Sequence, residues 1–394
     1  FSSCLIILNT IRKNAPISRI DIAKLTGLSA ATVTKFVDNL IESGLIKEEG
    51  HSYSRGGRRP ILLRIEASSG FAIGVDIGGE NLRVVVTDLE AKPVFQLSLA
   101  TCAWEGKDRV LNRVIGTISR ALRESNVPKE KLKGIGIGIS GLIDYERGTS
   151  LFCPNLPGWE NVPVSRLIED EFGLPCIVDD SSRTMALAEH WCGIAQDVDN
   201  FILVNVGVGI GCGIFTHGKM YRGAGGIAGE FGHMTIKEKG PRCNCGNYGC
   251  LETLASGPAI VRRTREALQE GVVSEIGKLC GGNLDSITPR VVVEAAKNGD
   301  KLAFNLIEKT GEYLGIGIAN LINIFNPELV VIGAGVSRAG DLLLDPLKRT
   351  VRARALQQSF RMVQIKTSSL DEFGGAIGGA ILILEDIFEH GYLK

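Results

Sequence analysis

Residues 223–252 read GAGGIAGEFGHMTIKEKGPRCNCGNYGCLE, which brings His233, Cys243, Cys245 and Cys250 within eighteen positions. From Cys243 to Cys250 the chain alternates cysteine and glycine, a tight knuckle that soft thiolates can close around one ion. Three thiolates and one imidazole form a closed coordination set that suits tetrahedral zinc and leaves no position for a reactive water. The expected cofactor is therefore structural Zn2+. Gly246 and Gly249 let the backbone turn sharply enough for thiolates so near in sequence to converge. The plainer alternative, unpaired cytosolic thiols, leaves four soft ligands in one turn-rich segment unexplained. Around the ligands lie Glu230 and Glu252, carboxylates in an apolar, glycine-rich setting. Such groups accept from sugar hydroxyls, while the imidazole of His233 takes another.

At 394 residues and 42.3 kDa the chain is too long for one compact core and is expected to hold two or three domains. Its 44% hydrophobic and 22% charged content describes an ordinary soluble globular protein. Lys plus Arg equals Asp plus Glu at 44 each, so total charge carries no signal for a nucleic-acid partner. The distribution does. Residues 1–66 are net basic by four and the remainder is acidic by the same amount. A basic module on a neutral-to-acidic body is what a DNA-binding head looks like. Cys4, Cys102, Cys153, Cys176, Cys192 and Cys212 fall singly in apolar surroundings. That pattern points to reduced thiols and a cytoplasmic protein. The apolar run Leu5–Leu8 is far too short to span a membrane, so no membrane partner is expected.

Residues 17–46 predict a helix-turn-helix. Ser18 caps a first helix running to Thr26, Gly27 supplies the turn, and Ser29 caps a second helix with Val33, Val37, Leu40 and Ile41 at helical spacing. Its outward face offers Ser29, Thr32 and Lys35 to a major groove. After Gly44 come two short strands joined by a flexible basic tip, a wing whose Arg55, Arg58 and Arg59 suit a narrow minor groove. The alternative is a helical protein-binding module with a solvated basic loop.

From Phe71 the pattern becomes strand, glycine turn and two further strands. Asp76 stands at the strand end before Gly78 and Gly79, where an acidic residue and two glycines can hold a metal-bound phosphate. Residues 201–221 echo this with Gly207, Gly209, Gly211 and Gly213, which suggests a duplicated fold with a cleft between similar lobes. Between the two lie a helix near 107–125, a strand ending at Gly141, and the loop holding Asn155 and Trp159. That pair is a fair sugar contact, although an isolated pair of this kind is more often plain turn chemistry. The strand PCIVDD delivers Asp179 and Asp180 to its carboxyl end, where ligands bind in α/β sheets. Near the C-terminus ELVVIGAGV leads into a helix, and a small-residue helix starts at Gly374. The GAG turn either cradles an adenosine or lets a helix pack closely.

With these pieces assembled, the chain resembles the ROK family (repressors, open reading frames and kinases), in the type with an N-terminal winged helix. The likeness rests on DIGG at 76–79, PNLPGW at 154–159, GVGIG at 207–211, AGEFGH at 228–233, CNCGNYGCLE at 243–252 and GGRRP at 56–60. It implies an α/β fold, an actin-like and hexokinase-like (ribonuclease H-like) double lobe preceded by the winged-helix domain. It also implies a sugar bound by Asn155, Asp180, Glu230, His233 and Glu252, with one nitrogen of His233 on zinc and the other at the sugar. Kinases of the family carry an Asn-Asp pair after the strand that here reads IVDD. Counting back from Leu187-Ala188-Glu189, the catalytic position falls on Ser181 and the Asn position on Asp180. A serine hydroxyl is too weak a base, and Glu80 and Val208 replace phosphate-binding threonines.

The expected protein is a sugar-responsive transcriptional regulator without catalytic residues, and its phosphate loops (Asp76, Gly78, Gly79, Gly207, Gly209, Gly211) are vestigial. The expected partners are operator DNA, a monosaccharide or derivative as effector, and a second copy in a homodimer or dimer of dimers, because one head contacts too few base pairs. The expected domains are 1–67, 68–190 closed by a helix at 374–390, and 191–373. The competing reading is an ATP-dependent sugar kinase with Asp180 as base.

Overall fold

The N-terminal segment folds as its capping residues dictate. The computed structural model describes residues 3–51 and 59–390 and opens with helix α1 (Ser3–Asn14) and a short strand β1 (Ile17–Ser18). Ser18 caps α2 (Arg19–Thr26) by accepting from the Asp21 N–H, and Gly27, at φ 69°, stops it in the left-handed region. Ser29 caps α3 (Ala30–Glu42), which buries Val33, Val37 and Leu40 on one face. Strands β2 (Ile46–His51) and β3 (Ile61–Ile65) pair antiparallel and β1 adds to β3, which completes a winged helix. The sequence reading missed α1, whose buried residues are only Ile7, Leu8 and Ile11.

The remainder is two five-stranded sheets on one plan. In the first, β4 (Phe71–Ile77), β5 (Asn81–Asp88) and β6 (Pro93–Ala100) form an antiparallel meander. Helix α4 (Lys107–Glu124) then returns the chain to β7 (Leu132–Ile139), parallel to β4. A small sheet of β8 (Leu142–Asp144), β9 (Thr149–Phe152) and β10 (Glu160–Val162) intervenes. Helix α5 (Val164–Phe172) leads to β11 (Cys176–Asp180), parallel to β7, and β11 runs straight into α6 (Ser181–Cys192).

The second sheet repeats the order. Strands β12 (Phe201–Val206), β13 (Ile210–Thr216) and β14 (Lys219–Met220) are antiparallel. Helices α7 (Leu251–Ala255), α8 (Gly257–Gln269), α9 (Glu275–Leu279), α10 (Pro289–Lys297) and α11 (Lys301–Phe325) precede β15 (Leu329–Gly333). Helices α12 (Asp341–Arg354) and α13 (Gln357–Met362) precede β16 (Gln364–Thr367). Both β15 and β16 run parallel to β12, so the strand orders β11-β7-β4-β5-β6 and β16-β15-β12-β13-β14 correspond strand for strand. Each glycine turn seen in the sequence is the first hairpin of its sheet, which explains the echo between them.

Helix α14 (Gly374–His390) returns to the first sheet, and glycine makes its seat. A Cβ on Gly74 of β4 would overlap the Ala376 carbonyl, and one on Gly136 of β7 would overlap that of Gly379. On its other flank Gly378 lies against the Thr184 carbonyl of α6. Helix α6 is buried from Ser181 to Glu189 without a break. The head is not a separate bead: Ile7, Leu8, Val33 and Leu63 belong to one apolar core with Leu89, Leu384, Ile387 and Phe388. Gly136→Ala should therefore cost about 1–3 kcal/mol, the usual range for overpacking a core. Urea unfolding would read this as a lower midpoint at unchanged slope.

Candidate functional site

The knuckle is shaped by its backbone. Isolated bridges join Thr235 to Cys250 and Arg242 to Tyr248, and the Cys243 N–H donates to the Asn247 carbonyl at 2.7 Å. Gly249, at φ 66°, lies so close to the Lys237 carbonyl that a side chain there would collide with it. A 3-10 turn at Phe231–His233 brings the imidazole to the cysteines. The donor atoms of His233, Cys243, Cys245 and Cys250 lie within 4.8 Å of one another. Cys245 Sγ and Cys250 Sγ are 3.8 Å apart, and Cys243 Sγ is 3.6 Å from His233 Nδ1. Tetrahedral bonds of about 2.3 Å separate two thiolates by about 3.8 Å, so this set fits a metal ion with little movement. The other nitrogen, His233 Nε2, lies 3.8 Å from Glu230 Oε2.

The remaining polar residues gather where the two sheets present their first hairpins. Glu252, in the first turn of α7, accepts from the Ile210 N–H at 2.9 Å and so fixes the 207–211 turn. Asn155 sits between the glycine turns. A Cβ on Gly79 would stand 3.1 Å from Asn155 Cβ, and one on Gly209 would stand 2.9 Å from Glu252 Oε2 and 3.7 Å from Asn155 Nδ2. Asp180 caps α6, its Oδ1 accepting from the Ser182 and Arg183 N–H groups at 2.8 and 3.3 Å. Burial pushes Asp180 up, with Asp179 adding to the push and Arg183 opposing it. Burial, then the charges of Asp180 and Glu252, pushes Glu230 up to about 7 against the pull of Arg183. The Glu230 side chain remains 41% exposed, so water in the cleft offsets part of that burial. The structure thus brings together Asn155, Asp180, Glu230, His233 and Glu252 beside the turns of Asp76, Gly78, Gly79, Gly207 and Gly209. Gly211, two residues on, faces the Ser182 hydroxyl.

Other sequence-predicted residues fall outside this group. Trp159 is a core residue, 1% exposed. Ser181 is buried, and its hydroxyl lies 2.9 Å from that of Ser140. Glu80 is exposed and Val208 half-buried on their respective turns. In the head, the Ser29 and Thr32 hydroxyls are 2.8 Å apart at the amino end of α3, and Lys35 and Arg59 are exposed. Arg55 and Arg58 lie outside the described residues. Sequence reasoning placed Asp179 only with Asp180 at a ligand-binding strand end and gave no role to Arg183 and Arg222. The three form an ion cluster behind Asp180, with Asp179 and Arg183 buried and Arg222 partly exposed. The one available signal was the doubled acid at the end of β11.

The ROK family profile matches residues 72–386, about four-fifths of the chain. The chain belongs to the ROK family. A winged helix-turn-helix DNA-binding profile matches residues 5–47. Relatives of this ROK chain include the xylose repressor of Caldicellulosiruptor bescii, 36% identical over 383 residues, or 97% of this chain and 95% of the repressor. The DNA-binding transcriptional dual regulator NagC of Escherichia coli is 35% identical over 378 residues, 93% of this chain and 88% of NagC. Among solved structures, a ROK family transcriptional regulator homologous to the E. coli MLC protein superposes with a TM-score of 0.83 at 30% identity, covering 98% of this chain and 96% of that one. A ROK family glucokinase from Streptomyces griseus, in complex with glucose and AMPPNP, gives a TM-score of 0.70 at 32% identity, covering 79% of this chain and 99% of the kinase. The winged head and the actin-like, hexokinase-like double lobe are those of a ROK regulator.

One carboxylate of the glycine turns makes the electrostatics testable. Burial raises Asp76 from 3.8 to about 6, against the pull of Arg83, whose Nη1 lies 3.5 Å away, and with a further push from Asp180. The folded state therefore holds this proton more tightly than the unfolded chain does. The resulting stability is full below about pH 4 and is lost as pH rises through about 6. Asp76→Asn should raise the melting temperature at pH 8, and the gain should vanish towards pH 4. Thermal melts across that range check this, and an offset independent of pH contradicts it.

Proposed function

We propose that this ROK chain is a sugar-responsive transcriptional repressor, which binds operator DNA through its winged helix and a monosaccharide or sugar derivative between its lobes, without phosphate transfer. The observation that carries this reading is the full-length likeness, head included, to regulators. The regulator structure covers 98% of this chain, whereas 79% of it already spans 99% of the glucokinase. The remaining fifth is about the size of the head. Relatives named for xylose and N-acetylglucosamine support a carbohydrate effector.

In this reading Asn155, Asp180, Glu230, His233 and Glu252 bind the sugar. Carboxylates accept from its hydroxyls, and a ring of acids is suited to a neutral polyol and unsuited to a phosphate. Zinc is the ion for the His233, Cys243, Cys245 and Cys250 set. Ligation through Nδ1 would fix the His233 ring and turn Nε2 to the side of Glu230. That Ser181 is buried and bonded to Ser140 supports the absence of a general base there. Glu80 and Val208 add a charge and an apolar group where a nucleotide needs donors. The chain divides into a head at 1–67, a first lobe at 68–190 closed by 374–390, and a second lobe at 191–373. The protein is cytoplasmic, and no helix among the described residues is long and apolar enough to cross a membrane.

Coupling between effector and DNA follows from α6. Its amino end carries Asp180, and about 17 Å along, at 1.5 Å per residue, it carries Trp191. The Arg12 guanidinium of the head lies 4.0 Å over the Trp191 ring, and Asn9 Nδ2 donates to the Phe388 carbonyl at 2.7 Å. A sugar that prefers one lobe arrangement shifts α6 and α14, and with them the spacing of two heads in a homodimer or dimer of dimers. The shift can be no larger than its difference in affinity for the two states. Lys35, Ser29 and Thr32 enter the major groove, and Arg55, Arg58 and Arg59 follow the minor groove.

The test combines fluorescence anisotropy on DNA from the protein's own upstream region, with and without pentoses, hexoses and N-acetylhexosamines, with a coupled assay for ADP release. Loss of DNA binding on adding one sugar, with no turnover, is expected. Turnover above background on any sugar defeats the reading. Cys245→Ser should lose zinc and lower sugar affinity by roughly tenfold or more, the scale on which disturbed metal surroundings act. Full sugar binding by the metal-free variant would refute the structural role of the ion.

A further inference from the structure

Arg222 stands where three separate segments meet. Its Nε and Nη2 lie 3.1 and 3.0 Å from Asp179 Oδ2, and its guanidinium carbon lies 4.1 Å over the Tyr145 ring. Asp179 is fully buried and immediately precedes Asp180 in β11. Tyr145 lies in the turn between β8 and β9, within the insertion that also carries Asn155. Arg222 itself opens the segment that ends at Glu230. The three segments held by this one side chain are those that carry three of the five proposed sugar residues.

The same carboxylate grips the far end of the loop. Asp179 Oδ1 accepts from Arg183 Nε, and Arg183 Nη1 donates to the Ala228 carbonyl at 3.1 Å, two residues before Glu230. The Ala228 N–H in turn donates to the Arg222 carbonyl at 2.9 Å, which closes the loop on itself. Between these points the chain reads GAGGI, with little side chain to hold it. Such a backbone is costly to order and keeps its shape only when its ends are tied. Removing a charge partner from a carboxylate buried this deeply is costly. Arg183 serves one, and Arg222, 24% exposed, serves the other from the opposite lobe.

We propose that Arg222 is the positioning residue of the effector site, a clasp that ties the Glu230 segment of the second lobe to the Asp180 and Asn155 elements of the first. The proposal rests on the sugar-site reading above. Arg222 need not touch the sugar. Without it one oxygen of Asp179 loses its charge partner, the 222–228 loop loses one anchor, and the effector must order Glu230 at its own expense.

The experiment uses the full chain with its metal and titrates a panel of aldopentoses, aldohexoses and N-acetylhexosamines by calorimetry. Arg222→Gln should weaken the best wild-type sugar roughly tenfold or more, the scale of a lost charged hydrogen bond. Zinc content and DNA affinity of the sugar-free protein should be unchanged. Arg222→Lys should lie between the two, because an ammonium pairs with Asp179 but lacks the planar fork and the stacking face. If Arg222→Gln does not fold, Tyr145→Ala, which removes only the ring beneath the guanidinium, should show a smaller loss of sugar affinity. Wild-type affinity in the folded Arg222→Gln protein, or in Tyr145→Ala when that variant stands in, overturns the clasp. A wild-type protein that binds none of the sugars sinks the sugar reading itself, and the clasp with it.

Discussion

Backbone meets backbone where α14 crosses β4, β7 and α6, and the architecture of this chain depends on that contact. Glycines at 74, 136 and 378 stand where a side chain would hold the elements apart. Interiors pack at crystal-like density, so elements in direct backbone contact have few alternative arrangements. Helix α6, buried from Ser181 to Glu189, is therefore located to within small shifts. Both of its ends are then placed: Asp180 at the mouth between the lobes and Trp191 under the head. A helix fixed along its length transmits motion as a body rather than absorbing it.

Charge in the cleft is set by a contest that burial wins at most positions. Asp76, Asp180 and Glu230 are all raised, although Arg83 or Arg183 stands near each. Arg183 shows the opposite balance: burial alone would lower it, but Asp179, Asp180 and Glu230 together raise it. The difference is one of number, several acids around few cations. The result is an acid-rich opening backed by an ion cluster of one carboxylate, Asp179, and two guanidiniums, Arg183 and Arg222.

Much of this was legible in the sequence because it is written in local spacing. Ser18, Gly27 and Ser29 mark the helix-turn-helix by capping chemistry, and the glycine turns at 78–79 and 207–209 mark the duplicated hairpins. The knuckle is legible because its three cysteines fall within eight positions, close enough for the turn itself to bring them together. What stayed hidden depends on partners far along the chain. Helix α1 buries only three residues, too few for a periodic signal, and β8, β9 and β10 are three or four residues long. Trp159 stayed ambiguous because a loop aromatic reads the same whether it faces a ligand or the core. Arg222 and Asp179 are 43 positions apart, and no local pattern announces such a pair.

The winged helix shares its apolar core with the first lobe, which limits how this architecture can be recombined. Leu8, Leu45 and Ile65 lie against Leu89, Ile387 and Phe388, and Arg12 is stacked on Trp191. A chimera joined only at one point near residue 67 would expose both halves of that seam. Transplanting this reader onto another sensor body means carrying Leu89, Trp191 and the last two turns of α14 along with it, so the exchangeable unit is discontinuous in the gene.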